Sequence, residues 1–513
     1  YLRHYPIPIY LTSGKKNKNL DFASISDDKI TSFSFNHDHR EDVLLKSIIQ
    51  NNIAHEIEYS NLDSSIYGSE FNSQIYQGNH QQTYPNIDLQ SALSTKVVTT
   101  LRRTMGIGNE QEHTKQFYFY RGAVYNAEGL GFLGFEAIAK SNWHTDYTNR
   151  IFTVSKYDAN LRGAPIESYA TDIFFSFVTP TSGYINKSSY QYNSSLSASG
   201  VFKRWMTSSL SQNGILGTHT NTTYQYDNYL NPTQVNTNFL GGSKLKINTY
   251  SNSTGSNYHI GRPTKVETTN TLGSESFTTE QQFNYSGYDL REIKTKGNGT
   301  PFDIETFEYD NFGNIKKKTL TPNGEASRIV ETTYDLTGRF VIETKDIEGF
   351  IKTFDYDPDY GDWNLSKITN HFGHETEFDY DSWDRLIKVT DYRGNETTTQ
   401  FQELNLNYKV TVASDDGSST ITEYDASKRV SVVKQKNLFG TWVSKKFEYD
   451  ELDRLIRESE PYTGSPSQWN ETTYDAYGRP TKIDLYTGRT INIGYNNLTI
   501  TVNDGVKTVT TVK

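Results

Sequence analysis

The chain contains no cysteine, which excludes disulfide bonds, thiolate nucleophiles and cysteine-ligated metal centres. It also lacks any run of eighteen apolar residues, so the sequence predicts no membrane-spanning helix. Hydrophobic residues make up only 34% of 513 positions and the mean hydropathy is −0.71, which is low for a protein with a solid core. A net charge of −10 disfavours a nucleic-acid partner, because phosphate binding needs a basic face.

Sequence motifs of catalysis and metal binding are also missing. His-Glu-x-x-His, P-loop and Gly-x-Ser-x-Gly patterns do not occur. His37-Asp38-His39 puts two imidazoles on one side of a strand, but without a third ligand at a defined spacing a surface pair is favoured. Asp415-Asp416-Gly417 lacks the alternating oxygen ligands of an EF-hand and is interpreted as a hairpin tip. We therefore predict no enzyme activity, no catalytic residue, no metal and no cofactor.

The sequence does contain a recurring Tyr-Asp pair, seen most clearly in Tyr334-Asp335-Leu336-Thr337-Gly338-Arg339 and again from Tyr474 to Arg479. Successive copies lie 21 to 25 residues apart except for one interval of 44, which Phe401 divides as a degenerate copy. Upstream, Tyr226-Asp227 is an intact pair and Tyr258 belongs to a degenerate one. Self-similarity at a fixed period predicts a repeat architecture that begins at about residue 215.

Each copy has the pattern of a β-hairpin. Residues suited to a pleated surface alternate on both sides of a four-residue turn. Glycine at 313, 338 and 478 falls where such a turn needs a positive φ angle, and the preceding Asp can cap free backbone amides. Where Asp384, Lys428 or Asp453 replaces glycine, we expect a looser loop.

We interpret the repeat positions as structural residues that stack and cap turns. They are Tyr226, Asp227, Tyr309, Asp310, Gly313, Tyr334, Asp335, Gly338, Arg339, Tyr356, Asp357, Tyr380, Asp381, Arg385, Tyr424, Asp425, Arg429, Tyr449, Asp450, Arg454, Tyr474, Asp475, Gly478 and Arg479.

Tyr-Asp-x-x-Gly-Arg followed by an alternating tail resembles the YD repeat of bacterial Rhs proteins, of the TcB/TcC shells of Tc toxin complexes and of animal teneurins. A second match lies upstream, in an aromatic-rich segment that ends in Gly-Phe-Leu-Gly-Phe and is similar to the one preceding the repeats in Rhs and TcB-like shells. One departure is Leu130, where the family often has Arg. The residues that carry this upstream match are Tyr120, Tyr125, Gly129, Gly131, Phe132, Gly134 and Phe135.

The resemblance implies an all-β fold, in which a long antiparallel ribbon of hairpins spirals into a hollow shell or part of one. A lone hairpin is not stable, so stacked neighbours must share their hydrogen-bond ladders. A β-sandwich or a set of propeller blades is the alternative, and the irregular period disfavours it. We predict a β-rich front part over 1–110, the aromatic segment over 111–214 and the repeat array over 215–513.

In Rhs proteins the shell ends in an Asp-Pro-x-Gly-type autoproteolytic core, which this sequence lacks. Asp357-Pro358-Asp359-Tyr360-Gly361 comes closest and is interpreted as a varied repeat turn. Because the chain begins at Tyr1 and stops within a strand-like segment, we expect it to be an internal piece of a longer polypeptide. Any protease core or toxin domain would then lie outside it.

The leading hypothesis is a non-enzymatic shell segment of a large exported bacterial protein, secreted or at the cell surface. Its partner would be the enclosed C-terminal effector of the same polypeptide, with secretion-machinery or outer-membrane components as further candidates. The richness in Asn, Lys, Tyr and Ile suits a low-GC bacterium of the Bacteroidetes type. The alternative is a surface adhesin or protein and glycan interaction module, in which Trp363, Trp442 and Trp469 contact the ligand.

Overall fold

The computed structural model describes residues 7–9, 21–26, 29–33, 44–50, 53–68, 73–107, 110–145, 150–357, 363–404 and 407–512. Every regular element in these ranges is a β-strand, and none of the described residues forms a helix able to span a membrane. The chain divides into two compact units. The first unit comprises the residues up to Pro165 together with Ala170–Thr179. The second unit comprises Ile166–Tyr169 and the residues from Pro180 onward. The three-part division drawn from the sequence stays a prediction.

The first unit has a conventional packed core. Four strands, β8 (Ser91–Ile107), β9 (Glu110–Asn126), β10 (Gly131–Ser141) and β11 (Phe152–Asp158), pair antiparallel in sequence order. The rings of Phe119 and Phe152 pack at 6.3 Å between centroids, and Phe175 packs against both. Strand β12 (Ala164–Thr171) contributes residues to both units. The other strands of the first unit are β1 (Ile7–Ile9), β2 (Asp21–Ser26), β3 (Lys29–Phe33), β4 (Ser47–Gln50), β5 (Ile53–Asp63), β6 (Tyr76–Gln77) and β7 (Asn86–Leu89).

The second unit is a serial ribbon, in which every strand from β13 to β38 pairs antiparallel with the next strand in sequence. Its strands are β13 (Asn186–Leu196), β14 (Phe202–Asn213), β15 (Thr218–Tyr226), β16 (Pro232–Phe239), β17 (Gly242–Ser253), β18 (His259–Leu272), β19 (Glu275–Ser286), β20 (Asp289–Lys296), β21 (Asp303–Tyr309), β22 (Ile315–Thr321), β23 (Arg328–Tyr334), β24 (Val341–Lys345), β25 (Ile351–Asp357), β26 (Asn364–Thr369), β27 (Glu375–Tyr380), β28 (Leu386–Thr390), β29 (Glu396–Leu404), β30 (Asn407–Ser414), β31 (Ser419–Tyr424), β32 (Val430–Lys436), β33 (Trp442–Tyr449), β34 (Leu455–Ser459), β35 (Trp469–Tyr474), β36 (Pro480–Asp484), β37 (Thr490–Asn496), β38 (Thr499–Asn503) and β39 (Thr508–Val512).

This ribbon is one sheet thick. Among the described residues from Pro180 onward, only Asn248, Phe307, Ala426 and Ser459 are buried, and most strand residues are half-buried. A second sheet packed on either face would bury every alternate side chain, so the ribbon has no solid interior. The prediction of an all-β antiparallel ribbon of hairpins is confirmed, and serial pairing excludes the sandwich and the four-stranded blades.

A β-bulge lies next to nine of the repeat tyrosines, and the sequence analysis did not predict it. The register shifts between Glu308 and Tyr309, between Glu448 and Tyr449, and in the same way at seven other copies. A turn that ends with a residue of positive φ places one extra residue on one strand, which is the origin of such a bulge. The bulge gives the hairpins extra local twist.

Two turns far apart in the second unit meet. Gly217, between β14 and β15, lies so close to Asn497, between β37 and β38, that an added Cβ would stand 3.5 Å from Asn497 Oδ1. The 23 strands from β15 to β37 cover about 110 Å of ribbon at about 4.8 Å per strand. Within this unit the ribbon therefore curves until one edge reaches the other.

Candidate functional site: the Tyr-Asp turn

The aspartate of each repeat holds its turn with both carboxylate oxygens. Asp450 Oδ1 accepts the backbone N–H groups of Leu452 at 3.0 Å and Arg454 at 2.9 Å, while Oδ2 accepts Arg454 Nε at 2.7 Å. Three other turns repeat this arrangement with the same 2.7 Å guanidinium bond, at Asp381, Asp425 and Asp475. Since each carboxylate is used within its own turn, its role is conformational.

The fourth residue of the turn has a positive φ angle whether or not it is glycine. Gly313 and Gly478 have φ of 89° and 77°, and Asp384, Lys428 and Asp453 have φ of 58°, 64° and 64°. The amides of these three residues donate to the turn aspartate carbonyl at 2.9–3.0 Å, as close as the glycine amides do. The expectation of looser loops at these positions is therefore wrong: the turn hydrogen bonds offset the backbone strain that a Cβ brings.

The tyrosine of the repeat ties its strand to an earlier one. Its hydroxyl donates to a backbone carbonyl 15 to 20 residues upstream at 2.6–3.0 Å, in the pairs Tyr226–Met206, Tyr309–Leu290, Tyr356–Val341, Tyr449–Val430, Tyr474–Leu455 and Tyr495–Pro480. Burial raises the pKa of Tyr309, Tyr356, Tyr380, Tyr449 and Tyr474 above the ordinary value. These phenols are therefore neutral at physiological pH.

The arginine joins one repeat to the next. The Arg454 guanidinium, besides its bond to Asp450, lies 5.0 Å from the ring centroid of Tyr474 and donates to the Asp475 carbonyl at 3.3 Å. Arg429 makes the equivalent contacts with the repeat of Tyr449, at 4.8 Å from the ring. A single side chain thus stabilises its own turn and caps the aromatic ring that follows.

A family model described as Teneurin YD-shell matches residues 171–409. The chain also superposes on the crystal structures of TcdB2-TccC3 and of TcdB2-TccC3 without its hypervariable C-terminal region, each with a TM-score of 0.61 over 95% of this chain. The crystal structure of TcdB2-TccC3-Cdc42 gives a TM-score of 0.59 over 88% of this chain. Residues 171–409 of the chain belong to the YD-repeat family.

Those three structures share only 9% sequence identity with this chain. They therefore establish its fold and nothing about its activity or partners. The chain spans 35–37% of the length of these three proteins. No curated protein matches it significantly in sequence.

Some copies of the YD repeat depart from the pattern. The Asp335 turn is one residue longer, because Asp335 N–H pairs with the Phe340 carbonyl. The backbone N–H of Arg339 donates to Asp335 Oδ1 at 2.7 Å, but its guanidinium donates to the Thr337 hydroxyl and not to Asp335. The Phe340 amide, then the Thr337 hydroxyl, hold the pKa of Asp335 well below its usual range. Asp357 ends β25, but the turn after it and Asn405 of the degenerate copy lie outside the described residues.

The upstream motif forms one hairpin of the first unit of this YD-repeat protein. Tyr120 and Tyr125 lie on β9, and Phe132 on β10 pairs with Tyr125. The rings of Tyr120 and Phe135 pack with 4.7 Å between their centroids. Tyr120 donates to the Val98 carbonyl at 2.8 Å, and burial raises its pKa well above the ordinary value. Positive φ angles at Gly129, Gly131 and Gly134 explain the three glycines.

Candidate metal positions in the YD-repeat protein gain no support. His37 and His39 lie outside the described residues. His371 stacks on Phe350 at 4.2 Å and His374 on Tyr392 at 4.0 Å, and in the described ranges no three His, Asp or Glu side chains converge on a metal position. Asp415–Gly417 forms the tip between β30 and β31, as predicted.

Proposed function

We propose that the chain is a non-enzymatic wall segment of a longer exported bacterial protein, and that this wall encloses and shields a C-terminal toxin or effector. The observation that carries the proposal is the serial ribbon of about 330 residues from Pro180 onward, in which four of the described residues are buried and two turns distant in sequence lie close together. A sheet that curves back on itself without filling its interior is suited to surrounding another polypeptide.

The dimensions are compatible with this role. A closed turn of about 110 Å has a diameter of about 35 Å, and a side-chain layer of about 5 Å on the inner face leaves about 25 Å clear. That width admits an extended or partly unfolded chain. One structure of similar fold is described as TcdB2-TccC3 without its hypervariable C-terminal region, which is consistent with a variable segment following the wall.

Limited proteolysis of the intact full-length protein tests enclosure. We expect a C-terminal segment that resists protease while the wall is intact and is digested once the wall is unfolded with denaturant. Rapid digestion of that segment in the native protein would refute the proposal.

A cysteine pair tests the curvature on which enclosure depends. Because the chain has no cysteine, Gly217→Cys with Asn497→Cys introduces the only thiols, and oxidation should give an intramolecular disulfide within one chain. Each single variant serves as the control and can form only dimers. If the double variant also gives dimers alone, the ribbon does not return on itself in solution.

An interaction module on the same fold is the second candidate, supported by Trp383, which is 79% exposed in the turn between β27 and β28. The three tryptophans named from the sequence are less suited. Trp363 stacks on Phe340 at 5.4 Å, Trp469 lies 4.4 Å from the Arg457 guanidinium, and Trp442 is half-buried at the start of β33. Glycan-array binding that disappears in Trp383→Ala would favour this role over the wall.

A further inference from the structure

The turn between β32 and β33 presents two large apolar side chains to solvent. Leu438 is fully exposed and Phe439 is 92% exposed, so neither side chain packs against the rest of the chain. Single apolar residues on a surface are common, but two adjacent ones at the end of a hairpin form a continuous apolar surface. We refer to these two side chains as the Leu438-Phe439 tip.

The backbone of this turn is held by hydrogen bonds within the turn. Asn437 N–H donates to the Thr441 carbonyl at 2.9 Å, and Gly440 N–H donates to the Asn437 carbonyl at 2.9 Å. The Asn437 side-chain oxygen accepts the N–H groups of Phe439 at 3.0 Å and of Thr441 at 2.9 Å. A backbone group that leaves water without a partner is costly, and these four N–H donors already have theirs. The tip can therefore enter an apolar medium without breaking its turn.

A lysine and a tryptophan lie at the base of the tip. Lys436 ends β32, Trp442 begins β33, and the two are directly opposite each other in the strand register. Lys436 is exposed and makes no ion pair among the described residues, whereas Lys434 pairs with Glu423 at 2.7 Å. The long stem and charged end of lysine, and the apolar ring and N–H group of tryptophan, both suit the headgroup layer of a membrane.

We propose that the Leu438-Phe439 tip inserts into the boundary between headgroups and acyl chains of a lipid bilayer, with the Lys436 ammonium group at the lipid phosphates. The neighbouring turn between β30 and β31 carries two exposed carboxylates, Asp415 and Asp416, which repel an anionic surface. We therefore expect a zwitterionic phosphatidylcholine bilayer to be sufficient. This site does not depend on whether the wall encloses an effector.

Co-sedimentation of the chain with phosphatidylcholine vesicles tests the assignment. A single myristoyl chain binds a bilayer with a constant of about 10⁴ M⁻¹, and two side chains of smaller apolar area predict about 10³ M⁻¹, which is measurable at millimolar lipid. Replacing both residues, Leu438→Ser with Phe439→Ser, should weaken binding at least tenfold. Leu336→Ser is the matched control, because Leu336 is 99% exposed in the turn between β23 and β24, on the opposite edge of the ribbon.

These substitutions replace exposed side chains, so hydrogen exchange in the flanking strands should be unchanged and should confirm that the variants fold. A fluorescent label gives a second readout. Because the chain has no cysteine, Phe439→Cys offers one site for an environment-sensitive fluorophore. Its emission should shift to shorter wavelength when vesicles are added, whereas the same label on Leu336→Cys should not respond.

Addition of phosphatidylserine to the vesicles separates apolar insertion from attraction by charge. We expect the binding constant to change less than about threefold, since one lysine beside two carboxylates gains little from an anionic surface. Absence of vesicle binding, equal weakening by Leu336→Ser, an unchanged label at position 439 in the bound chain, or binding only with phosphatidylserine present would overturn the proposal.

Discussion

Replacement of Arg454 by methionine tests whether the arginine couples successive repeats. Methionine keeps an unbranched side chain of similar length but removes the 2.7 Å bond to Asp450, the 3.3 Å bond to the Asp475 carbonyl and the contact with Tyr474. A charge-assisted hydrogen bond contributes about 1.5–3 kcal/mol and a cation–π contact about 0.5–1 kcal/mol. Because the Arg454 and Asp450 side chains are 22% and 12% exposed, solvent screens part of this. We expect a loss of about 2 kcal/mol.

Hydrogen exchange is the appropriate assay, since a chain of this length with two units is not expected to unfold in one step. A local loss of about 2 kcal/mol accelerates exchange about 30-fold for the slow amides of β33, β34 and β35. Arg489→Met is the matched control: its ion pair with Asp504 is 2.6 Å long, but the arginine is 55% exposed and should contribute less than about 1 kcal/mol. Equal acceleration in both variants, or less than about threefold in Arg454→Met, would contradict the coupling.

Two further predictions concern the turns. Gly338→Ala should destabilise the protein by about 1 kcal/mol more than Gly478→Ala. Both positions have a positive φ angle, but only at Gly338 would the added Cβ come within 2.4 Å of the Phe312 side chain. Equal losses of stability in urea denaturation would show that the Phe312 contact has no effect. The Arg385 side-chain hydrogen bond lowers the pKa of Asp381, so its stabilisation is present above the unfolded pKa of about 3.9 and is lost as the pH falls through the folded pKa. Asp381→Asn should therefore lose less stability than the unmodified chain between about pH 4 and pH 2, and an identical acid profile would refute this.

The local part of the fold was predictable because it depends on residues next to one another. A glycine three positions after Asp310, with alternating residues on both sides, specifies a hairpin turn without reference to the rest of the chain. The left-handed Lys428 was misjudged because the sequence shows the strain of a Cβ but not the turn hydrogen bonds that offset it.

The contacts between repeats were not predicted, although one signal was present. Arg429 precedes Tyr449 by 20 residues and Arg454 precedes Tyr474 by 20, a spacing as regular as that of the Tyr-Asp pairs. Whether this spacing brings the arginine onto the tyrosine ring depends on the strand register. The register cannot be derived from the sequence without knowing the position of the bulge. The approach of Gly217 to Asn497 depends on twist accumulated over 23 strands, which no local pattern specifies.

Coupling through arginine also determines where the ribbon opens most easily. In a serial array each repeat contacts only its neighbours, so stability is close to a sum of terms between adjacent repeats. The term between the Asp310 and Asp335 turns lacks the guanidinium bond, the cation–π contact and the tyrosine hydroxyl bond that join the Asp450 and Asp475 turns. This step is therefore weaker than its counterparts near the C-terminal end, and we expect the ribbon to open there first.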